Sequence, residues 1–199
     1  YSPKDRRSAF LFGDGGVAAL VERDEKFGKS YFSLNSDGSR ADLIMIKGGG
    51  YRHPSSEETL REKVVDEYGN IRSDEQGYMQ GGDVFNFVIR EIPRDIKKTL
   101  EYAGDTADSF DYIVFHQANN FINAYIAKKM KLDTDKIPST IAKYGNTSSV
   151  SVPLIIVSEL KDRLYGNKKL LLSAFGVGMT WATGIVPFVD CKISDIVEV

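Results

Sequence analysis

The feature that most constrains the fold of this chain is an alternation of helical and strand patterns from Gly82 to Val189. After Gly82, apolar residues recur at helical spacing, and Asp83 is a plausible N-cap for that helix. Pro93 is expected to kink or divide the helix, because proline lacks an N–H and its ring clashes with the preceding turn. Gly104 is expected to end it, since glycine readily adopts the left-handed conformation of a helix terminus.

Further along the chain, short apolar runs alternate with helical patterns. The sequence predicts a buried strand over 112–115, helices over about 120–130 and 149–164, and strands over 169–174 and 183–189. The last two strands flank a glycine-containing turn and are expected to form a hairpin. Together these elements predict a fold of the α/β class.

The part of the chain before Gly82 has a weaker pattern. Apolar runs predict strands over 9–12, 17–21, 31–34 and 43–46. The polar stretch from Gly48 to Gly82 is expected to be functional or partly helical, because structureless loops of that length are uncommon in compact domains. A change in composition near residues 22–28 suggests the end of one folding unit.

Charge and cysteine content exclude several classes of protein. The 199 residues include 26 Lys plus Arg and 28 Asp plus Glu, and this net charge of −2 argues against a nucleic-acid binder. A single cysteine, Cys191, excludes an intramolecular disulfide and favours a reducing, cytoplasmic location. Neither a signal peptide nor an apolar run of membrane-spanning length is visible, so no membrane association is expected. The chain begins with Tyr1 rather than Met, which suggests the tail of a longer protein.

One of the two histidines is a candidate catalytic group. His116 directly follows the predicted strand over 112–115, and ligands of α/β sheets bind at the carboxyl ends of strands. The alternative is a histidine that only satisfies its own hydrogen bonds at a strand end. His53 lies in the polar stretch and is interpreted as a surface residue.

Two turn segments are further candidates. The segment from Tyr144 to Ser149 leads into the helix predicted over about 149–164. Its Asn146 could present a neutral amide donor to the space that His116 faces. The alternative is a turn whose hydroxyl groups cap that helix. Gly176-Val177-Gly178 is expected to be a hairpin turn that can also aim backbone N–H groups at an oxyanion.

Other kinds of site find no support. Two widely separated histidines and one cysteine do not provide a metal site. Cys191 lies beyond the last predicted strand and is not expected to be a nucleophile. Gly13-Asp14-Gly15-Gly16 is interpreted as a turn with a packing role rather than a phosphate cradle, because a strand and not a helix is expected to follow it.

Five sequence blocks occur in a specific order. They are Leu11-Phe12-Gly13-Asp14-Gly15, Met79-Gln80-Gly81-Gly82-Asp83-Val84-Phe85, His116-Gln117-Ala118-Asn119, Tyr144-Gly145-Asn146-Thr147-Ser148 and Phe175-Gly176-Val177-Gly178-Met179-Thr180-Trp181. In this order they closely resemble the β-ketoacyl-acyl-carrier-protein synthase III family of thiolase-fold condensing enzymes. The resemblance extends through essentially the whole chain.

The resemblance implies a fold and a domain organisation. The family has a duplicated α/β unit in five α-β-α-β-α layers and acts as a homodimer. Residues 1–27 would be the last strands of the N-terminal half, and residues 28–199 the C-terminal half. The family's nucleophilic cysteine lies in the first half, so the chain is expected to lack it, to be inactive alone and to need the missing N-terminal half as a partner.

The resemblance also implies a reaction, the decarboxylative Claisen condensation of acyl-CoA with malonyl-acyl carrier protein, with no cofactor. His116 and Asn146 would donate hydrogen bonds to the malonyl thioester carbonyl. The Val177 N–H would contribute to an oxyanion hole. The residues Phe175, Gly176, Gly178 and Asn119 would line the substrate pocket. Removing one such donor typically lowers the rate about 10²–10³-fold.

Some positions depart from the family's usual pattern. Val177 and Ala182 stand where glycine is usual, and Asn86 and Phe121 replace basic residues that often contact the carrier arm. The pair Lys128-Lys129 remains on the same predicted helix as Phe121 and could steer an acidic acyl carrier protein. The departures at Asn86 and Phe121 leave open a related condensing enzyme for a polyketide, a quinolone or a branched lipid. The absence of the nucleophile leaves open a second alternative, a non-catalytic thioester-binding module.

Overall fold

The structure is a computed structural model that describes residues 1–21, 23, 25 and 27–198. Its strands in this part of the chain are β1 (Tyr31–Ser36), β2 (Ile44–Met45), β3 (Lys63–Val64), β4 (Ile71–Arg72), β5 (Tyr78–Met79), β6 (Tyr112–Phe115), β7 (Asn167–Gly176) and β8 (Thr180–Val189). Its α-helices are α1 (Glu57–Leu60), α2 (Gly81–Ala103), α3 (Asn120–Met130), α4 (Ile141–Tyr144) and α5 (Ser151–Glu159). The predicted α/β class is confirmed.

A four-stranded mixed sheet forms the centre of the fold. Its strand order is β1-β8-β7-β6. The β6 and β7 strands are parallel and are connected through α3, α4 and α5, whereas β7 and β8 form the predicted antiparallel hairpin. The β1 strand pairs with β8 and forms one edge of the sheet.

Strand residues alternate between two apolar cores, as the two-residue period of a strand requires. On one face, Ile113 and Leu171 pack with the buried residues of α2 and α3. On the other face, Val114 and Leu170 pack with the buried Ile155 of α5. The sheet is therefore covered on both faces along β6 and β7, which explains their continuous apolar sequences.

A buried carboxylate connects the edge strand to the long helix. The side chain of Asp95 on α2 accepts hydrogen bonds from the Asn35 amide at 2.8 Å, from the Thr183 hydroxyl at 2.6 Å and from the Ser33 hydroxyl. The opposite face of β1 is open, with Phe32 61% and Leu34 80% exposed. This polar network thus supplies much of the contact between β1 and α2.

The α2 helix departs from the prediction in two ways. It runs without division through Pro93, and its N-cap residue is Gln80 rather than Asp83. The predicted stop at Gly104 is confirmed, because this residue has a left-handed φ of 70°. The helix predicted over 149–164 is shorter than expected, since only Ser151–Glu159 is α-helical and 3₁₀ turns flank it.

The early strand predictions are only partly correct. The predicted strands over 31–34 and 43–46 correspond to β1 and β2, and the polar stretch contains α1, the β3-β4 pair and β5, which pairs with β2. The predicted strands over 9–12 and 17–21 are wrong: the first is a series of turns ending in one bridge from Phe12 to Asn146, and the second has no regular structure. A strand needs a hydrogen-bonded neighbour, and residues 17–21 have none among the described residues.

The predicted domain boundary at residues 27/28 stays a prediction. The composition change that suggested it includes residues 22, 24 and 26, which lie outside the described residues.

Candidate functional site

A cavity of about 690 Å³ lies at the carboxyl ends of β6 and β7. The first turns of α2, α3 and α5 contribute Gly81, Ile122 and Ser151 to its wall. The N-terminus of a helix carries a partial positive charge, so three such termini favour negative charge on a ligand in the cavity. The described residues that line the cavity include no Asp, Glu, Lys or Arg.

His116 is one of the polar residues in this cavity. It follows β6 directly and is 9% exposed, and its Nδ1 lies 2.7 Å from the Ser151 hydroxyl. The ring makes an edge contact with Phe175 at a centroid separation of 5.2 Å. Burial lowers the pKa of His116 from 6.5 to about 4, because the protonated ring is costly to desolvate. The imidazole is therefore neutral near pH 7.

The backbone around His116 is held by a second set of hydrogen bonds. The Asn123 amide donates to the His116 carbonyl at 3.1 Å. The buried Gln117 amide donates to the Phe115 carbonyl, and its side-chain oxygen accepts from Ser139 and from the Thr140 N–H. These bonds make the strand-to-helix connection rigid, so the imidazole is presented in a defined orientation.

Asn146 lies in the same cavity wall and is also buried. Its side-chain oxygen accepts from the Ser148 N–H at 2.9 Å, which leaves the amide NH₂ group as the donor available to a ligand. Its backbone pairs with the segment before Gly13: the Asn146 N–H donates to the Leu11 carbonyl at 2.8 Å, and the Gly13 N–H donates to the Asn146 carbonyl at 3.0 Å.

This pairing brings two glycines very close to the backbone of the facing segment. A Cβ on Gly13 would lie 2.0 Å from the Tyr144 carbonyl oxygen, and a Cβ on Gly145 would lie 3.0 Å from the Leu11 carbonyl oxygen. Gly145 also has a φ of 66°, which side chains disfavour. The glycine block near Gly13 therefore packs backbone against backbone and supports Asn146, in line with its predicted packing role, although no strand follows it.

The turn between β7 and β8 forms another wall. Phe175, Gly176 and Val177 line the cavity, whereas Gly178 is not among the lining residues. Val177 is 62% exposed, and its carbonyl accepts a hydrogen bond from the Thr180 hydroxyl.

Three aromatic side chains cluster near α3, and one of them, Phe85, lines the cavity. Phe85 stacks on Phe121 at 5.5 Å and contacts the edge of Tyr125 at 5.8 Å. Asn119 lines the cavity and also caps α3, since its side chain accepts from the Ile122 N–H at 2.9 Å. The pair Lys128-Lys129 lies at the opposite end of α3 and does not line the cavity.

Outside this cavity, the described residues offer few other reactive or metal-binding groups. Cys191 is exposed and does not line the cavity. The residues described contain no group of three or more His, Cys, Asp or Glu arranged to hold a metal ion. None of the helices described is both long and apolar enough to cross a membrane.

The structure thus brings together most of the site residues predicted from the sequence. His116, Asn119, Asn146, Phe175, Gly176 and Val177 line one cavity. Sequence reasoning missed the contact of Ser151 with His116 and the contribution of Leu11 and Phe12 to the cavity wall. An available signal was the hydroxyl-rich sequence around the start of α5, for which capping was one of two open interpretations; neither α5 nor the 3₁₀ turn before it has a side-chain cap hydrogen bond.

Comparison with known proteins agrees with the family resemblance of the five sequence blocks. Residues 100–188 match the family model described as 3-oxoacyl-[acyl-carrier-protein (ACP)] synthase III C terminal. A β-ketoacyl-[acyl-carrier-protein] synthase III of Streptococcus pneumoniae (strain Hungary19A-6) is 36% identical over 186 residues, which are 92% of this chain and 53% of the relative.

Solved structures show the same similarity in three dimensions. A crystal structure of a 3-oxoacyl-(acyl-carrier-protein) synthase III has a TM-score of 0.81 at 36% identity and covers 93% of this chain and 56% of that chain. A 3-oxoacyl-(acyl-carrier protein) synthase from Burkholderia xenovorans LB400 has a TM-score of 0.79 at 34% identity, with 98% and 54% covered. The chain spans about half the length of the relatives that it matches.

Proposed function

Since this chain belongs to the 3-oxoacyl-[acyl-carrier-protein] synthase III family, we propose that it carries the enolate-stabilising part of a decarboxylative Claisen condensation site. In this reaction malonyl-acyl carrier protein loses CO₂, and the resulting carbanion attacks an acyl thioester derived from acyl-CoA. His116 and Asn146 donate hydrogen bonds to the malonyl thioester carbonyl and stabilise the enolate oxygen that forms there.

The observation that supports this proposal most strongly is the joint presence of two neutral donors in an uncharged cavity. The imidazole is neutral because burial lowers its pKa to about 4, and the Asn146 amide is never charged. A strong acid near the carbanion could protonate the carbon and end the reaction. Neutral donors, assisted by the N-termini of α2, α3 and α5, stabilise the enolate oxygen without supplying a labile proton.

The turn between β7 and β8 supplies the rest of the proposed machinery. The Val177 N–H contributes to the oxyanion hole for acyl transfer, and the Phe175 ring gives the departing carboxylate an apolar wall that favours its loss as CO₂. Gly176 and Asn119 complete the proposed substrate pocket. Gly178 lies outside the cavity lining, so its part is to shape the turn.

The sulfur nucleophile of the reaction is not Cys191 in this proposal. That thiol is exposed and outside the cavity lining, so it does not meet a thioester held by His116 and Asn146. We infer that residues 28–199 correspond to the C-terminal half of a condensing enzyme and that an N-terminal half supplies the cysteine and the dimer contacts. The match of residues 100–188 to a C-terminal family model supports this assignment.

The test is His116→Ala in the full-length protein, compared with His53→Ala as the matched control. His53 does not line the cavity. Condensation with malonyl-acyl carrier protein is expected to fall about 10²–10³-fold in the first variant, while acylation of the nucleophilic cysteine by acyl-CoA, followed by intact mass, persists. A condensation rate within a few-fold of the unmodified protein would contradict the proposed role, as would acylation at Cys191.

A further inference from the structure

We propose that Ser151 is a positioning residue that sets the tautomer of His116, with its hydroxyl donating to Nδ1 so that the ring proton resides on Nε2. The tautomer is inferred from the hydrogen bonds around Ser151 and does not depend on the proposed function. Its effect on catalysis rests on the proposed function, in which the imidazole must act as a donor.

The position of the Ser151 hydroxyl group is closely constrained by its neighbours. Its hydroxyl lies 2.7 Å from His116 Nδ1, and the backbone N–H of Gln117 points at the same oxygen from 3.4 Å. Ser151 is 1% exposed, so its hydroxyl group is almost wholly buried. It is the first residue of α5, and the helix backbone fixes its position.

Counting protons decides between the two tautomers. If Nδ1 carried the ring proton, the Ser151 oxygen would accept from both Nδ1 and the Gln117 N–H. Its own proton would then need another acceptor, and the hydrogen bonds of the described residues include none for it. If the hydroxyl donates to Nδ1, the buried Ser151 proton has a partner, and the one proton left over is Nε2–H on a ring that lines the cavity, where a ligand can accept it. A buried donor without a partner is costly, and this favours the second arrangement.

This arrangement has a consequence for the site. Since Nδ1 is occupied by Ser151, Nε2 is the ring nitrogen left for a ligand in the cavity. With the proton on Nε2, the neutral ring is a donor there and can stabilise an enolate oxygen. With the proton on Nδ1, the ring would present a lone pair and repel the same oxygen. Ser151 therefore converts a buried histidine into a neutral donor.

The experiment is nuclear magnetic resonance of the full protein labelled with ¹⁵N at its histidine side chains, which reports the protonation state of each ring nitrogen. The chain contains two histidines, so His53→Gln assigns the signals. Unmodified His116 is expected to show the Nε2–H tautomer, and Ser151→Thr, which keeps the hydroxyl, is expected to preserve it. Ser151→Ala is expected to give a mixture of tautomers, whereas Ser149→Ala, at an exposed position in the cavity wall, leaves the pattern unchanged.

Kinetic measurements on the same variants test the catalytic effect of the tautomer separately from the tautomer itself. Ser151→Ala should lower the kcat of condensation by up to about 10²-fold, the cost of one lost donor, with KM changed less than about twofold and with recovery in Ser151→Thr. An Nδ1–H tautomer in the unmodified protein would overturn the inference even if Ser151→Ala does not fold. An unaltered tautomer in a folded Ser151→Ala protein would also overturn it. A shifted tautomer with full activity would support the inference and contradict the donor role of His116.

Discussion

The side-chain amine of Lys129 donates a 2.6 Å hydrogen bond to the backbone carbonyl of Ile89. Ile89 is four residues before Pro93, which has no N–H to give to this carbonyl. A side chain from α3 thus takes the place of the missing helical hydrogen bond. This explains why α2 continues through its proline, and it shows that Lys129 is engaged within the chain instead of being free for a partner.

The first prediction concerns this replacement. Lys129→Met should lower the free energy of unfolding by about 1 kcal/mol, because the Ile89 carbonyl loses its donor. In a Pro93→Ala background the loss should be much smaller, since the alanine that replaces the proline can supply the N–H. Lys128→Met is the control and should have little effect. Urea unfolding measures all of these proteins, and equal losses in the two backgrounds would contradict the interpretation.

The second prediction concerns the support of Asn146. Gly13→Ala should destabilise the protein by about 1–3 kcal/mol, because the added methyl group collides with the Tyr144 carbonyl. Gly16→Ala is the control, since a Cβ there would meet nothing within 4 Å. Thermal unfolding compares the two. Equal melting temperatures would show that the loop around Asn146 can move away without cost.

The third prediction concerns the buried carboxylate of Asp95. Asp95→Ala should cost about 2–4 kcal/mol, because the Asn35 amide loses a charged acceptor in a buried site. Asp95→Asn should recover only part of this loss, since its NH₂ group cannot accept. Asp108→Ala, at an exposed position, is the control. Urea unfolding measures the series, and an Asp95→Ala protein as stable as the control would refute the assigned role of the network.

The fourth prediction concerns the pH dependence of stability. The pKa of His116 is about 4 in the folded chain and about 6.5 in the unfolded chain. Between these values the unfolded state binds more protons, so the free energy of unfolding falls as the pH decreases from about 6.5 to about 4. This histidine contributes about 3 kcal/mol to the change.

A comparison with His116→Gln isolates this contribution. Urea unfolding at about pH 7 and about pH 4.5 should show a smaller loss of stability in the variant than in the unmodified protein. His53→Gln is the control: it keeps His116, so its loss of stability should match that of the unmodified protein. Identical losses in all three proteins would mean that His116 is not desolvated.

The fifth prediction concerns carrier docking and rests on the proposed function. Because Lys129 is engaged by Ile89, Lys128 is the more available of the two basic residues proposed to attract an acidic carrier protein. Lys128→Glu should raise KM for malonyl-acyl carrier protein about 2–5-fold at low ionic strength and leave KM for acyl-CoA unchanged. Lys98→Glu on α2 carries the same charge change and is the control. Equal effects of the two variants would exclude a local docking role.

Several elements could be predicted because their information is local. The period of the apolar residues indicated the α3 helix over 120–130, and the apolar run over 112–115 indicated β6. Gly104 marked the end of α2 through its left-handed conformation. The same kind of reasoning placed His116 at the end of a strand, where ligands of α/β sheets bind.

Other predictions failed because the deciding partner is distant in sequence. Residues 9–12 have a strand composition, but the N–H groups of Ala9 and Leu11 donate to carbonyls in local turns, and the Leu11 carbonyl accepts from Asn146 rather than from a sheet strand. Pro93 was expected to kink or divide a helix; α2 is not divided, and the amine of Lys129 on another helix occupies the carbonyl that the proline leaves unpaired. Local propensity does not specify such partners.

The sequence by itself therefore determined the class of the fold, the bounds of β6 and α3 and the residue types able to donate to an oxyanion. Only the tertiary structure decided that Asn146 is held against Gly13, that Ser151 meets the imidazole of His116 and that the cavity wall is uncharged in its described part. The physical reason is that periodicity and capping act within a few residues, whereas the direction of a hydrogen bond, the burial that shifts a pKa and the contact of two backbones depend on segments that meet only after the chain has folded.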